Sequence, residues 1–233
     1  MRKVSYNLPP MKILAIDTST EACSAALSVD DEVISRFEIA PRKHTELILP
    51  MIDSLMKEAA LLPTQLDGLA FTRGPGAFTG VRVATGIIQG IAFAADLPVA
   101  PISSLAALAQ GQFREQGTNH VISAIDARMK EIYWGFYQQQ AGLMKACQPE
   151  GVCPADQIPI PTNNDEWLGA GTGWASYGEL LNNRLAGKVH TSNSYAYPHS
   201  VDVITLAKPM FKSGELVSAD QISPVYLRDN VVS

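Results

Sequence analysis

The chain has 233 residues, 46% hydrophobic and 18% charged, with 18 Lys and Arg against 23 Asp and Glu for a formal net charge of −5. That length fills one large domain or two small ones, and the acidic balance excludes a protein that grips nucleic acid alone, because phosphate binding needs clustered Lys and Arg. No apolar run approaches the length of a bilayer crossing, residues 1–10 lack the apolar centre of a signal peptide, and Cys23, Cys147 and Cys153 form neither an even set nor a CxxC pair, so the expectation is a cytoplasmic chain with reduced thiols.

Pro9 and Pro10 separate a leader, 1–10, from the regular pattern that starts at Met11, so the leader reads as a flexible extension: a misassigned start or a genuine addition. An apolar run over 12–17 predicts a buried strand, followed by a polar turn at Thr18, Ser19, Thr20 and Glu21 and a second strand over 23–29. Asp30 and Asp31 suit a tight turn into a third strand, 32–39. Leu47, Ile48, Met51, Ile52, Leu55, Met56, Ala59 and Ala60 then recur in pairs every four positions, which predicts a helix with a wide apolar face, complicated in its first turns by Pro50. A strand over 68–72, the loop RGPGAFTG, a helix over 82–95 and a strand over 99–103 complete a β-β-β-α-β-α-β order, an α/β layer architecture.

Ala15-Ile16-Asp17 opens a strand-turn-strand unit, and Ala124-Ile125-Asp126 opens another of the same layout. Two halves, each led by a hairpin with Asp at its tip, resemble the duplicated actin, Hsp70 and sugar-kinase (RNase H-like) architecture, in which acidic tips face a nucleotide between two related lobes. Beyond the second hairpin, 149–161 reads as an irregular connection. A strand at 167–169, the loop AGTGW, a helix to about 185 and a helix over 200–212 stopped by Gly214 follow. The division expected is a first lobe at 11–108, a smaller second lobe at 109–217, and a tail, 218–233, packed back on the first.

The loop Gly74-Pro75-Gly76-Ala77-Phe78-Thr79-Gly80 joins strand to helix, with Thr79 able to cap the helix; it reads as an anion cradle or as a purely structural turn, and it is neither a Walker loop nor GxGxxG. Gly86, Gly90 and Ala94 leave one helical stripe almost bare, which suits close approach of another helix from the same chain or another. Asp17 with Thr18 and Thr20 offers oxygen ligands for Mg²⁺ or a phosphate-bearing ligand, or an Asp bonding its own turn. Gly169, Gly171 and Gly173 fit either a loop lying against adenosine or a simple turn. His44, His120, His190 and His199 never fall at the i, i+4 spacing of a helix-borne metal pair, and neither a GxSxG elbow nor an activated Cys is visible.

The segments MKILAIDTST, TRGPGAFTGVRVATGI, AIDARMKEIYWGFY and PVYLR, spread over residues 11 to 228, resemble the TsaB (YeaZ) family of tRNA threonylcarbamoyladenosine biosynthesis. The resemblance implies a non-catalytic partner of TsaD, the paralogue whose paired histidines hold a metal, with the ATPase TsaE joining them to modify adenosine 37 of tRNAs reading ANN codons. It implies homodimerisation and TsaD binding through one surface, expected at Leu47, Met51, Leu55, Arg82, Val83, Gly86, Gly90 and Ala94, with tRNA met only indirectly. Neither a catalytic residue nor a metal site is expected in this chain, Asp17, Thr18, Thr20, Gly169, Gly171 and Gly173 being the nucleotide candidates. No cofactor is required by it, ATP and Mg²⁺ belonging to the complex. The competing expectation is a small-molecule kinase or ATPase of the actin-like superfamily.

Overall fold

The apolar run ILAID forms β1 (Ile13–Asp17), buried along its whole length as a strand covered on both faces must be. The computed structural model describes residues 11–30, 32–163 and 165–228; the leader 1–10, Asp31 of the second turn and residues 229–233 of the tail lie outside them. β1 pairs antiparallel with β2 (Ala22–Val29), which carries β3 (Glu32–Ile39) antiparallel on its far side. On its other edge β1 pairs parallel with β4 (Gly68–Thr72), and β5 (Val99–Ile102) continues in parallel. The order is β3-β2-β1-β4-β5.

The second sheet repeats that order. β6 (His120–Arg128) and β7 (Glu131–Gln140) form its hairpin and β8 (Leu143–Ala146) extends it, while β9 (Gly151–Pro154) adds a further pairing to β7. β10 (Trp167–Ala170) and β11 (Val189–Asn193) lie parallel beyond β6, giving β11-β10-β6-β7-β8. The two AID segments therefore occupy the same central strand of two like sheets. The fold is α/β, duplicated and actin-like.

Among the described residues five α-helices cover the sheets: α1 (His44–Glu58), α2 (Phe78–Ala95), α3 (Ser104–Gln116), α4 (Thr172–Arg184) and α5 (Ser200–Ser213). Ile48 and Leu55 of α1 and Ile88 of α2 close one face of the first sheet over Leu14, Ile16 and Phe71, and α5 closes the other through Val203, Ile204 and Ala207. On the second sheet α4 packs Trp174 and Leu181 over Ile122 and Phe136, and α3 packs Leu105 and Leu108 over Val121 and Tyr137. The last helix of each half thus crosses to the other half's sheet, and the two meet where Arg114 Nε donates to Asp202 Oδ1 at 2.9 Å. The cores consequently divide differently from the ranges 11–108 and 109–217: α3 straddles that boundary, and α5 serves the first lobe.

Some elements differ from the sequence expectation. α2 starts at Phe78 with Ala77 at its cap position, so Thr79 sits inside the first turn and does not cap it. At 18 residues α2 is long and apolar enough to cross a membrane, contrary to the reading that no run approaches that length, yet Ala84, Ile88 and Ala92 are packed into the first core. α3, β8, β9 and β11 had no counterpart in that reading. α3 is written largely in Ala, Ser and Gln, and its start is marked by Ser103, whose Oγ accepts from Leu105 and Ala106 N–H. β11 is the polar VHTSN, without an alternating apolar face.

Candidate functional site

Two hairpin tips face a cleft of about 220 Å³ lined by Ser19, Gly76, Phe78, Asp126, Arg128, Thr172, Tyr226 and Arg228, among others. At the first tip Asp17 is fully buried, and its Oδ1 accepts from Ser19 N–H at 3.2 Å, from Ser19 Oγ at 2.6 Å and from Thr72 Oγ1. Burial pushes this carboxyl above the usual range, against the lowering pull of the Ser19 and Thr72 hydrogen bonds. Asp17 Oδ2 is buried without a hydrogen-bond partner. Thr18 and Thr20 are buried too: Thr18 Oγ1 donates to Gly80 O at 2.7 Å, and Thr20 Oγ1 accepts from Ala22 N–H at 3.4 Å. At the second tip Asp126 bonds outward, accepting from Arg128 N–H at 2.8 Å and from Arg128 Nη1 at 3.0 Å.

The glycines of the GPGAFTG loop are explained by the chain itself. A Cβ on Gly76 would stand 2.2 Å from Ser19 O and one on Gly80 2.0 Å from Thr18 O, while Ala77 N–H donates to Ser19 O at 2.7 Å. The loop is clamped onto the DTST turn. In the second lobe a Cβ on Gly169 would strike Trp174 at 2.4 Å, on Gly171 Ala124 O at 2.4 Å, and on Gly173 Ala124 Cβ at 2.9 Å. These three glycines let α4 and its indole lie against β6 and β10.

Mg-ATP, which an actin-like fold brings to mind, does not fit the residues present. The close-approach space of both glycine loops is filled by backbone and indole, Asp17 is sealed under its own turn, and Tyr226 and Arg228 of the tail line the cleft. The unpartnered Asp17 Oδ2 is an oxygen that would welcome a cation, but no group of three His, Cys, Asp or Glu side chains stands together among the described residues.

Of the remaining titratable candidates, Cys23 is buried and His199 is built into a helix cap, whereas Cys147 is exposed. Burial pushes the Cys23 thiol up to about 12 and the Cys147 and Cys153 thiols upward, which suppresses the thiolate. His199 caps α5 by accepting from Val201 N–H at 3.1 Å, and burial brings it down to about 4. His44 Nε2 lies 3.2 Å from Ala22 O, and His120 lies beside Asp165.

The expected contact surface separates into two groups. Leu55 is fully buried and Met51 9% exposed, both inside the first core, so they are unavailable to a partner in this fold, and Leu47 and Val83 lie half-buried against that core. Arg82, Gly86, Gly90 and Ala94 are exposed on α2, and a Cβ on either glycine would meet nothing within 4 Å. Phe93, 81% exposed on the same helix, extends this face, and Leu49, 54% exposed, is a further exposed apolar side chain on α1. Neither stood in the sequence reading; Phe93 lies one residue before Ala94, and the four-residue stepping of the stripe already placed it at the edge.

The family model described as TsaD, tRNA N6-adenosine threonylcarbamoyltransferase, matches residues 37–233. The tRNA threonylcarbamoyladenosine biosynthesis protein TsaB of Escherichia coli (strain K12) is 41% identical over 224 residues, covering 95% of this chain and 96% of its own. The protein of the same name from Haemophilus influenzae is 41% identical over 234 residues, covering 95% of each. The solved structure of YeaZ from Pseudomonas aeruginosa matches with a TM-score of 0.88 at 46% identity, over 93% of this chain and 100% of that one. With two like sheets in the same order, a DTST turn clamped by GPGAFTG, and relatives matched from end to end, the chain belongs to the TsaB (YeaZ) family.

Proposed function

We propose that this chain is a non-catalytic partner subunit in tRNA threonylcarbamoyladenosine biosynthesis. It works beside a TsaD-like catalytic subunit and a TsaE-like ATPase in the cytoplasm, and meets tRNA only through them. The observation that carries this reading is the end-to-end match to relatives named for that biosynthesis. The site chemistry supports the non-catalytic part: the cysteines are shifted away from thiolate, and the first-lobe Asp is buried and pushed toward its neutral form. The chain requires no cofactor of its own in this reading, ATP and Mg²⁺ acting at the level of the complex.

The exposed α2 face is the docking surface in this proposal. Two glycines cost a helix about 1 kcal/mol each relative to Ala, and no neighbour among the described residues uses the space they leave. A partner helix laid along Gly86, Gly90 and Ala94 would approach at backbone distance, with Phe93 as an apolar anchor. A second copy would pair with the same face across a two-fold axis, so self-association and TsaD binding exclude each other.

The test is reconstitution. tRNA incubated with threonylcarbamoyl-adenylate gains the modification only when the TsaD-like and TsaE-like proteins accompany this chain. Transfer by the purified chain alone overturns the reading. The second reading, a small-molecule kinase or ATPase, rests on Asp17 Oδ2, the one carboxylate oxygen among the buried side-chain atoms that lack a hydrogen-bond partner in the described residues. Titration calorimetry with Mg-ATP separates the two: a micromolar affinity abolished by Asp17→Ala establishes the kinase-like reading.

A further inference from the structure

The chain leaves α5 at Gly214 and runs first along the first lobe. Val217 bridges to Val99 of β5, Gln89 Nε2 of α2 donates to Ala219 O at 3.0 Å, and Ile222 is buried in the first core. It then turns toward the cleft. Val225 N–H donates to Arg73 O at 2.8 Å, and the Tyr226 ring lies 6.0 Å from that of Phe78, the first residue of α2. The Arg82 guanidinium sits over the Phe78 ring at 3.4 Å and 5.4 Å from the Tyr226 ring. Two residues on, the chain makes its contacts with the other lobe: Arg228 Nη2 donates to Ala127 O at 3.2 Å and to Glu131 Oε2, and Nη1 lies 3.6 Å from Met129 Sδ.

We propose that residues 222–228 are a strap that ties the two lobes across the mouth of the cleft and couples the second hairpin tip to the first turn of α2. In a two-lobed fold a ligand held between the halves joins them. Here the chain's own segment makes both sets of contacts and lines the cleft that a ligand would enter. The other polar contact across this mouth among the described residues is the Arg128–Glu21 pair at 3.7 Å, and with side chains 76% and 38% exposed it contributes little. Arg228 and Glu131 are 19% and 31% exposed, and Arg228 also bonds a backbone carbonyl, so this pair is better shielded and better anchored. At the closed end the lobes are held separately, through Arg114 with Asp202 and through the Glu150 carboxylate, which accepts from Ser103 Oγ at 2.5 Å and from Tyr137. Loss of the strap therefore frees the mouth while the hinge side stays closed. The inference concerns this chain alone and stands or falls apart from the partner reading.

Residue-resolved hydrogen exchange on the full chain tests it, with Arg228→Gln approaching the strap from the tail and Glu131→Gln from the second lobe. Three reporters matter: Val225 N–H, the amides around 128–131, and Val81 N–H, which closes the first turn of α2 by donating to Ala77 O at 2.9 Å. Either variant is expected to speed exchange at all three by about tenfold or more, while β1, β4 and β6 keep their protection and so certify the fold. Tyr226→Ala, which cuts the strap on the other side, is expected to loosen the amides around 128–131 in return. If Arg228→Gln and Glu131→Gln speed exchange only at the substituted segment and leave Val81 unchanged, or if Tyr226→Ala leaves 128–131 unchanged, the strap does not couple the lobes.

Discussion

The two hairpins that lead the halves share an AID strand end and a place at the centre of their sheets, yet they spend their aspartates in opposite ways. Asp17 is fully buried and tied by Ser19 and Thr72, whereas Asp126 keeps its carboxylate among Arg128, Ser176 and Tyr177 with 12% of the side chain exposed. The first turn is also clamped from outside by the GPGAFTG loop, through Thr18 to Gly80 and Ala77 to Ser19. The second is a tight turn with Arg128, Met129 and Lys130 all at positive φ, and the tail's Arg228 reaches it from the other lobe. Duplication preserved the topology, and the turn residues decided which copy became core and which remained surface.

Substitutions in matching places sharpen that contrast. The largest effect is expected for Gly80→Ala: its Cβ would stand 2.0 Å from Thr18 O, a backbone atom that cannot swing away, so chemical denaturation should show a loss of at least about 3 kcal/mol. The counterpart Gly173→Ala meets Ala124 Cβ at 2.9 Å and its backbone at 3.0 Å, a clash against equally fixed atoms but a shallower one, and is expected to lose about 1–2 kcal/mol. Equal losses would break the claim that the first turn is the tighter clamp.

Next comes the pH dependence of Asp17. Its folded carboxyl lies above the ordinary 3.8, so the stability it contributes is fully present below pH 3.8 and is lost as pH rises from there through the folded value, because the unfolded chain ionises first. Asp17→Asn removes this loss. The variant should therefore gain on the wild type as pH rises above 3.8, as followed by thermal unfolding from about pH 3 to about pH 8, which brackets the ordinary carboxylate range and the higher values a buried carboxyl reaches. An advantage that shrinks with rising pH would contradict the assignment. The smallest effect is expected for Gly86→Ala. With nothing within 4 Å of the added methyl, the monomer should gain about 1 kcal/mol from helix propensity, measured by denaturation at dilutions where association is absent.

Much of this was legible in the sequence, for identifiable reasons. The AID repeat exposed the duplication because a buried central strand must be continuously apolar, and β1, α1 and α5 followed from runs and periodicities that burial demands. α3 and β11 escaped because Ala, Gln and Ser carry no strong period and a partly exposed polar edge strand has no apolar face. The glycine stripe of α2 was readable from spacing, but whether Gly86 and Gly90 faced inward or outward was not. Met51 and Leu55 look like any exposed apolar pair until Leu14, Ile16 and Phe71 are brought beneath the helix. Asp17 and the glycines of the two loops looked equally suited to a nucleotide or to a turn. Only the distances to Thr18, Ser19, Ala124 and Trp174 show what fills the space beside those glycines.

The central claim, that the outward glycine face of α2 is where partners dock, is tested most directly by analytical ultracentrifugation of the wild type and Gly90→Leu, each alone and mixed with a TsaD-like protein. Since Gly90 has open space around it, the variant should fold as the wild type does, as circular dichroism will verify. The expected result is a wild type that dimerises alone and exchanges its copy for the TsaD-like protein, and a Gly90→Leu chain that sediments as a monomer in both samples. A folded Gly90→Leu protein that still dimerises and still binds the TsaD-like protein would contradict the account.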